Sequence, residues 1–224
     1  LISMDRYFIE MINLYDSKKF PKVLLLNGKK GVGKFTLVNH FLNYIFTQKE
    51  KEPYNLNEKT ININSIFYNQ LLNNINQDIL FIKAEENKNI KIEDIRNLKS
   101  IISRSTLSNN PRFIVIDEVE FINDNSVNAL LKSLEEPTIN NYFILINNKQ
   151  ADLLKTISSR CLLTNIHLSH NEANSVVHYL LQRNNVKDLL EFNPNLTPGL
   201  FLRFNEIYLK LNLNKDDSIS IKIN

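Results

Sequence analysis

Gly28, Gly31 and Gly33 stand within six residues of one another in a chain that has four glycines, and Lys34 follows directly. This is the G-x-x-x-x-G-K spacing of a phosphate-binding loop. Backbone N–H groups converge on phosphate oxygens only where no side chain blocks the approach, and a helix opening after the loop adds its positive N-terminal end. Lys34 would reach the β- and γ-phosphates of a nucleotide. The candidate nucleotide-binding set is therefore Gly28, Lys29, Lys30, Gly31, Val32, Gly33, Lys34, Phe35 and Thr36, with ATP or ADP as ligand. Lys29 and Lys30 either add positive charge beside the phosphates or stand solvated. One position is out of pattern. Chemistry assisted by Mg²⁺ needs a Ser or Thr hydroxyl directly after the lysine, and Phe35 has no oxygen. Thr36 lies one residue on, turned about 100° around a helix. It could meet the α-phosphate region but is poorly placed to replace the metal ligand. Phosphate holding should survive, while hydrolysis should suffer. The competing reading is a glycine-rich turn with no ligand.

Further carboxylates and amides could serve the same chemistry. Phe113-Ile-Val-Ile-Asp117-Glu118 is an apolar run closed by two acids. Asp117 could hold Mg²⁺ and Glu118 could orient an attacking water; the plain alternative is a strand followed by an acidic turn. Asn147-Asn148 could touch a γ-phosphate or make an ordinary turn. Arg160 is either a surface salt-bridge residue or a finger that stabilises charge on a neighbouring subunit's nucleotide. Cys161 is the single cysteine, so no internal disulfide and no cysteine-based zinc site can form. The four histidines show no metal-ligand spacing with one another.

These residues need a frame, and the hydrophobic pattern predicts one. Lys22–Leu26, Asp78–Lys83, Phe113–Ile116, Tyr142–Ile146 and a stretch within Cys161–Leu168 read as five strands, the first a continuous apolar run of the kind buried on both faces and the third also a buried strand. Helical spacing joins Phe35, Leu37, Val38, Phe41, Leu42 and Ile45, and again Ile92, Ile95, Leu98, Ile101 and Ile102. Asn125–Glu135 carries an apolar stripe of Val127, Leu130, Leu131 and Leu134, with Ser126 or Asn125 as cap and Pro137 beyond its end. A short helical turn is expected around Leu153–Arg160. Gln48–Asn64 has no periodicity and reads as a loop or insertion. From Asn171 the pattern is helical only, with breaks near Asn184-Asn185 and Asn193–Pro198, and the tail from Asn212 looks frayed. Strands alternating with helices, then helices alone, predict a parallel α/β sheet over 1–168 followed by a small helical domain over 169–224.

Composition excludes little else. The chain is 43% hydrophobic and 23% charged, ordinary globular values, and its formal charge of +3 is too small to announce a nucleic-acid surface. No apolar run of about 18 residues is present, so no membrane span is expected, and the single cysteine fits a cytoplasmic setting. The chain begins at Leu1, which suggests a fragment.

The motifs GKKGVGKFTL, FIVIDEVEFIN, NALLKSLEEP, YFILINN and ISSRC, in that order, resemble the bacterial DNA polymerase III clamp-loader subunits over roughly Asp5–Leu168. The missing Ser/Thr at Phe35 makes the chain look more like the delta-prime members than the gamma/tau motor subunits. The resemblance implies a P-loop AAA+ domain with a five-stranded parallel sheet, a small helical lid, and a C-terminal collar domain that this chain stops before. It implies Arg160, in Ser-Arg-Cys, as an arginine finger acting in trans. Gamma/tau and delta-like subunits would be its partners, with the sliding clamp and primed DNA reached through the complex. The four-cysteine zinc module of some members has no counterpart in Gln48–Asn64. The family's lid arginine after a loop like Thr197-Pro198-Gly199 is matched here by Leu200, with Arg203 one turn further on. Three functions are thus in play: a non-motor partner that hydrolyses ATP slowly or not at all, an active gamma/tau-like ATPase retaining Lys34, Asp117 and Glu118, and an unrelated P-loop module.

Overall fold

The computed structural model describes residues 1–73, 75–84, 89–103, 110–183, 192–193 and 195–211. The expected break at Asn184-Asn185 and the tail from Asn212 lie outside them. Five strands form one sheet: β1 (Val23–Asn27), β2 (Ile79–Lys83), β3 (Arg112–Asp117), β4 (Asn141–Asn147) and β5 (Leu162–Asn165). Their order across the sheet is β2-β3-β4-β1-β5 and every pairing is parallel. Parallel neighbours need crossovers, and helices supply them: α1 (Asp5–Asp16), α2 (Lys34–Thr47), α3 (Ile66–Leu72), α4 (Ile92–Ile102), α5 (Asp124–Glu135) and α6 (Lys155–Ser158).

Side-chain alternation along the strands divides the core in two. Leu24, Leu26, Phe113, Val115, Ile144 and Ile146 face α1 and α2. Val23, Leu25, Ile114, Ile116, Phe143 and Leu145 face α4 and α5. Covering both faces is what makes β1, β3 and β4 read as unbroken apolar runs. The five expected strands are all present, within a residue or two at most ends. Two helices were not expected. In α1, Tyr7, Phe8, Met11 and Ile12 form a buried stripe, but Met4 precedes it and makes no side-chain cap. The helix α3 is seven residues long and buries only Phe67. The cap of α5 also differs from expectation: Asn123, not Asn125 or Ser126, accepts from the Ser126 backbone N–H at 2.9 Å. After the sheet, α7 (His170–Arg183) and α8 (Pro198–Lys210) pack together around Val177, Leu181 and Phe201. Among the described residues, no helix is long and apolar enough to cross a membrane.

One polar pair sits within this packing. His40 on α2 is 8% exposed, and its Nδ1 lies 2.8 Å from the Tyr54 hydroxyl. Burial pushes the His40 pKa down to about 4. The unfolded chain, with an ordinary histidine near 6.5, therefore takes up a proton that the folded chain refuses. Stability from this site is complete above about pH 6.5 and is lost as pH falls toward 4, by about 3 kcal/mol at most. Urea midpoints at pH 7 and pH 4.5 should differ more for wild type than for His40→Gln. Equal differences would remove His40 as the cause.

Candidate functional site

All five strands end on one edge of the sheet, and ligand sites of parallel α/β folds lie outside the carboxyl ends of the strands. The loop leaving β1 turns there. Gly31 and Gly33 have φ of +81° and +104°, values that L side chains rarely adopt, and Gly33 passes directly into α2. No side chain caps that helix, so its first N–H groups face the loop. Lys34 is 2% exposed, and its ammonium donates to the carbonyls of Gly28 (2.6 Å) and Lys29 (2.8 Å). Burial lowers its pKa to about 8, opposed by Asp117 and Glu120. A cation folded onto its own loop beside an open helix N-terminus is a cradle suited to phosphate. Next to it, a cavity of about 480 Å³ opens between the loop and the helical pair, lined by Val32, Thr36, Leu180, Arg183 and Leu202. Arg183 was not among the expected residues, and an arginine at the end of a helix carries no sequence signal for such a place.

The metal position is different. The Phe35 ring is 42% exposed and packs 5.6 Å from Phe81 on the edge strand β2. Asp117 Oδ1 accepts from the Glu118 N–H (2.9 Å) and the Asn148 amide (3.1 Å), and Oδ2 lies 3.9 Å from the Lys83 ammonium. Burial raises the Asp117 pKa, opposed first by Lys83. One carboxylate with an occupied oxygen, a nearby ammonium and no hydroxyl partner is not a donor set that fits Mg²⁺. Among the described residues, no cluster of three or more His, Cys, Asp or Glu could hold a metal ion.

The remaining candidates are committed to partners. Asn147 donates to Asn27 Oδ1 at 3.0 Å, and its own oxygen accepts from the Lys149 N–H. Asn27 in turn donates to Asn165 at 2.7 Å, so three asparagines tie the ends of β4, β1 and β5 together. Asn148, one residue beyond the strand, is the amide that reaches Asp117. Glu118 has φ +58° and is buried, and the Lys30 ammonium lies 2.7 Å from its carboxylate. Lys29 is exposed and contributes its carbonyl to Lys34. Glu120 was missed: its buried carboxylate accepts from the Asn148 N–H at 3.0 Å and shapes the loop that carries Asn148.

Arg160 lies elsewhere. β5 runs parallel to β1 with Leu162 level with Leu24, so Arg160 is level with Lys22, at the opposite edge of the sheet from Gly28. At about 3.3 Å per residue along a strand, roughly 20 Å separate it from the chain's own cradle. Its Nε and Nη2 meet Glu135 Oε1 at 2.7 and 2.6 Å, and Nη1 donates to Thr156 O at 2.8 Å. The guanidinium is thus in a half-exposed ion pair on the protein surface. In the helical pair, Arg203 is exposed, and Leu200 sits where α8 meets Gly31.

Residues 5–170 match the family described as DNA polymerase III, delta subunit. The chain is 28% identical over 213 residues to the DNA polymerase III subunit delta' of Buchnera aphidicola subsp. Schizaphis graminum, covering 95% of this chain and 58% of that protein. It is 30% identical over 139 residues to the subunit delta' of Pseudomonas aeruginosa, covering 61% of this chain and 40% of that one. A gamma subunit from the same Buchnera is 28% identical over 75% of this chain and 44% of its own length. The chain therefore spans between two fifths and three fifths of these relatives. Among solved structures, a gamma subunit-related protein of Thermotoga maritima aligns with a TM-score of 0.53 at 21% identity, over 77% of this chain and 52% of that one. The RuvB branch migration motor of the same organism aligns at 0.52 and 13% identity, over 96% and 64%, which shows a shared AAA+ fold. The chain belongs to the DNA polymerase III delta-subunit family, and its similarity extends to curated delta' subunits.

Proposed function

We propose that the chain is a non-motor subunit of the clamp loader: it holds a nucleotide without turning it over at a motor's rate, and it supplies Arg160 to the ATP of a neighbouring subunit. Gamma/tau and delta-like subunits would be its partners, with the sliding clamp and primed DNA reached through the assembly. The observation that carries this reading is the division between the two edges of the sheet. At the carboxyl edge the phosphate cradle is intact, but Phe35 stands where the metal's hydroxyl belongs and Glu118 is paired with Lys30. At the other edge stands an arginine too far from that cradle to serve it.

The active gamma/tau-like alternative rests on Lys34, Asp117 and Glu118 being retained. The two diverge in a direct measurement on the isolated chain. A fluorescent ADP or ATP analogue should bind, and Lys34→Ala should abolish binding. Steady-state Mg-ATP turnover should lie at least 100-fold below that of a motor subunit assayed alongside, since a well-held metal ion contributes several kcal/mol to the transition state and about 1.4 kcal/mol is a factor of ten in rate. Turnover equal to the motor subunit's would overturn the proposal.

A further inference from the structure

Glu118 is the residue best placed by sequence to receive a hydrogen bond from an attacking water, yet its Oε1 already has donors. The Lys30 ammonium lies 2.7 Å from it, and the Gln150 amide nitrogen 3.5 Å. Lys30 also donates to Gln150 Oε1 at 3.3 Å, so the three side chains close a ring. The carboxylate is 8% exposed, and a buried charge of that kind needs a partner of opposite sign. Lys30 is itself held from behind. Its carbonyl accepts from the Thr197 hydroxyl at 2.6 Å, and the next carbonyl, of Gly31, accepts from the Gly199 N–H at 2.9 Å. One residue of the phosphate loop thus has its side chain on the hydrolytic acid and its main chain on the first turn of α8.

We infer that Lys30 is a silencing residue: it draws Glu118 against the phosphate loop and keeps the carboxylate from the water that would attack a bound nucleotide, while Thr197 and Gly199 fix Lys30 in place. The inference rests on the reading that this chain's own site turns over slowly, and it adds a second cause beside Phe35. Each obstacle blocks the same step by itself, so their effects are not additive and removing either alone restores little. In hydrolysis, water adds to the γ-phosphorus, the bond to the ADP oxygen breaks, and the water's proton passes toward Glu118. That last transfer requires the carboxylate to be turned toward the water, whereas Lys30 and Gln150 hold its Oε1 against the phosphate loop.

The test uses the 224-residue chain and Mg-ATP. Phe35→Thr alone should raise kcat less than threefold. Phe35→Thr with Lys30→Met should raise it at least tenfold, with KM changed less than twofold, and adding Glu118→Gln should abolish the gain. Phe35→Thr with Lys30→Arg, which restores a cation, should keep no more than a third of the gain. Should the methionine variant fail to fold, Lys30→Gln in the same background retains an amide donor and should give an intermediate gain. A readout independent of turnover comes from nitrogen-15 lysine labelling. The Lys30 ammonium should give a slowly exchanging signal in wild type that disappears in Glu118→Gln. A full gain from Phe35→Thr alone, no gain in a folded double variant that still binds nucleotide, or an unchanged lysine signal would each overturn the role of Lys30. Motor-rate turnover by wild type would instead overturn the proposed function, and so the two failures are distinguishable.

Discussion

With alanine at position 160, ATP turnover at the neighbouring nucleotide site of an assembled loader should fall about 10³-fold or more, the scale on which arginine fingers act on phosphoryl transfer. The effect belongs in kcat, because the charge that a finger meets develops in the transition state. Its KM should move little. The geometry supports an action in trans only: Arg160 precedes β5 while the phosphate loop follows β1, and the two strands are parallel. In the isolated chain the guanidinium rests on Glu135 and Thr156 O. That pair is half exposed, and such pairs contribute about 1 kcal/mol or less, so a neighbour's triphosphate can draw the arginine away at small cost. The same weakness separates this outcome from a folding defect. The thermal midpoint of Arg160→Ala should stay close to wild type, since surface substitutions usually change stability by within about 0.5 kcal/mol. Arg160→Lys should recover a minor part of the rate, because an ammonium lacks the planar fork that meets two phosphate oxygens together. Single-turnover measurement at that interface is the appropriate assay, as the loader's other sites would mask the loss in a bulk rate. An unchanged rate would leave Arg160 as a surface salt-bridge residue.

The parts of this architecture that sequence displays are those with a periodic apolar signal. Val23–Leu26, Phe113–Ile116 and Phe143–Ile146 are legible because helices cover both faces of the sheet, so every position in the run is apolar. Edge strands blur that signal: in β5, Leu162 and Leu163 are both about half exposed. The helix α3 leaves only one residue in the core, and no period can be read from one residue. The site divides in the same way. Gly31, Gly33 and Lys34 are legible since backbone conformation and local spacing dictate them. Lys30 on Glu118 is not, because it joins residues 88 positions apart through side-chain choice alone. Asn147 and Asn148 were indistinguishable as neighbours in sequence. The strand's end decides between them, committing Asn147 to Asn27 and leaving Asn148 to turn toward Asp117.

Gly31→Ala should have the largest effect on the fold. Its φ of +81° costs an alanine about 1–2 kcal/mol by itself. The added Cβ would stand 2.5 Å from Thr197 Oγ1 and 2.9 Å from the Leu200 nitrogen, so α8 must move off the loop. Moving it gives up the hydrogen bonds from Thr197 to Lys30 and from Gly199 to Gly31, each contributing about 1 kcal/mol net. A loss of about 3 kcal/mol corresponds to roughly 6–12 °C in thermal midpoint for a chain of this size. Hydrogen exchange in the first turns of α8 should quicken at the same time. Gly199→Ala separates the two causes. Gly199 has no positive φ, but its Cβ would meet Gly31 Cα at 2.8 Å, so it displaces α8 without straining the phosphate loop. It should quicken exchange in α8 as Gly31→Ala does, with a smaller drop in midpoint. A midpoint and exchange pattern equal to wild type in both variants would show that the two glycines do not hold the helix. In the loader, Gly199→Ala should still support turnover at the neighbour's site, since Arg160 is carried by α6, β5 and the end of α5 at the far edge of the sheet, and none of these rests on the Gly31–Gly199 contact.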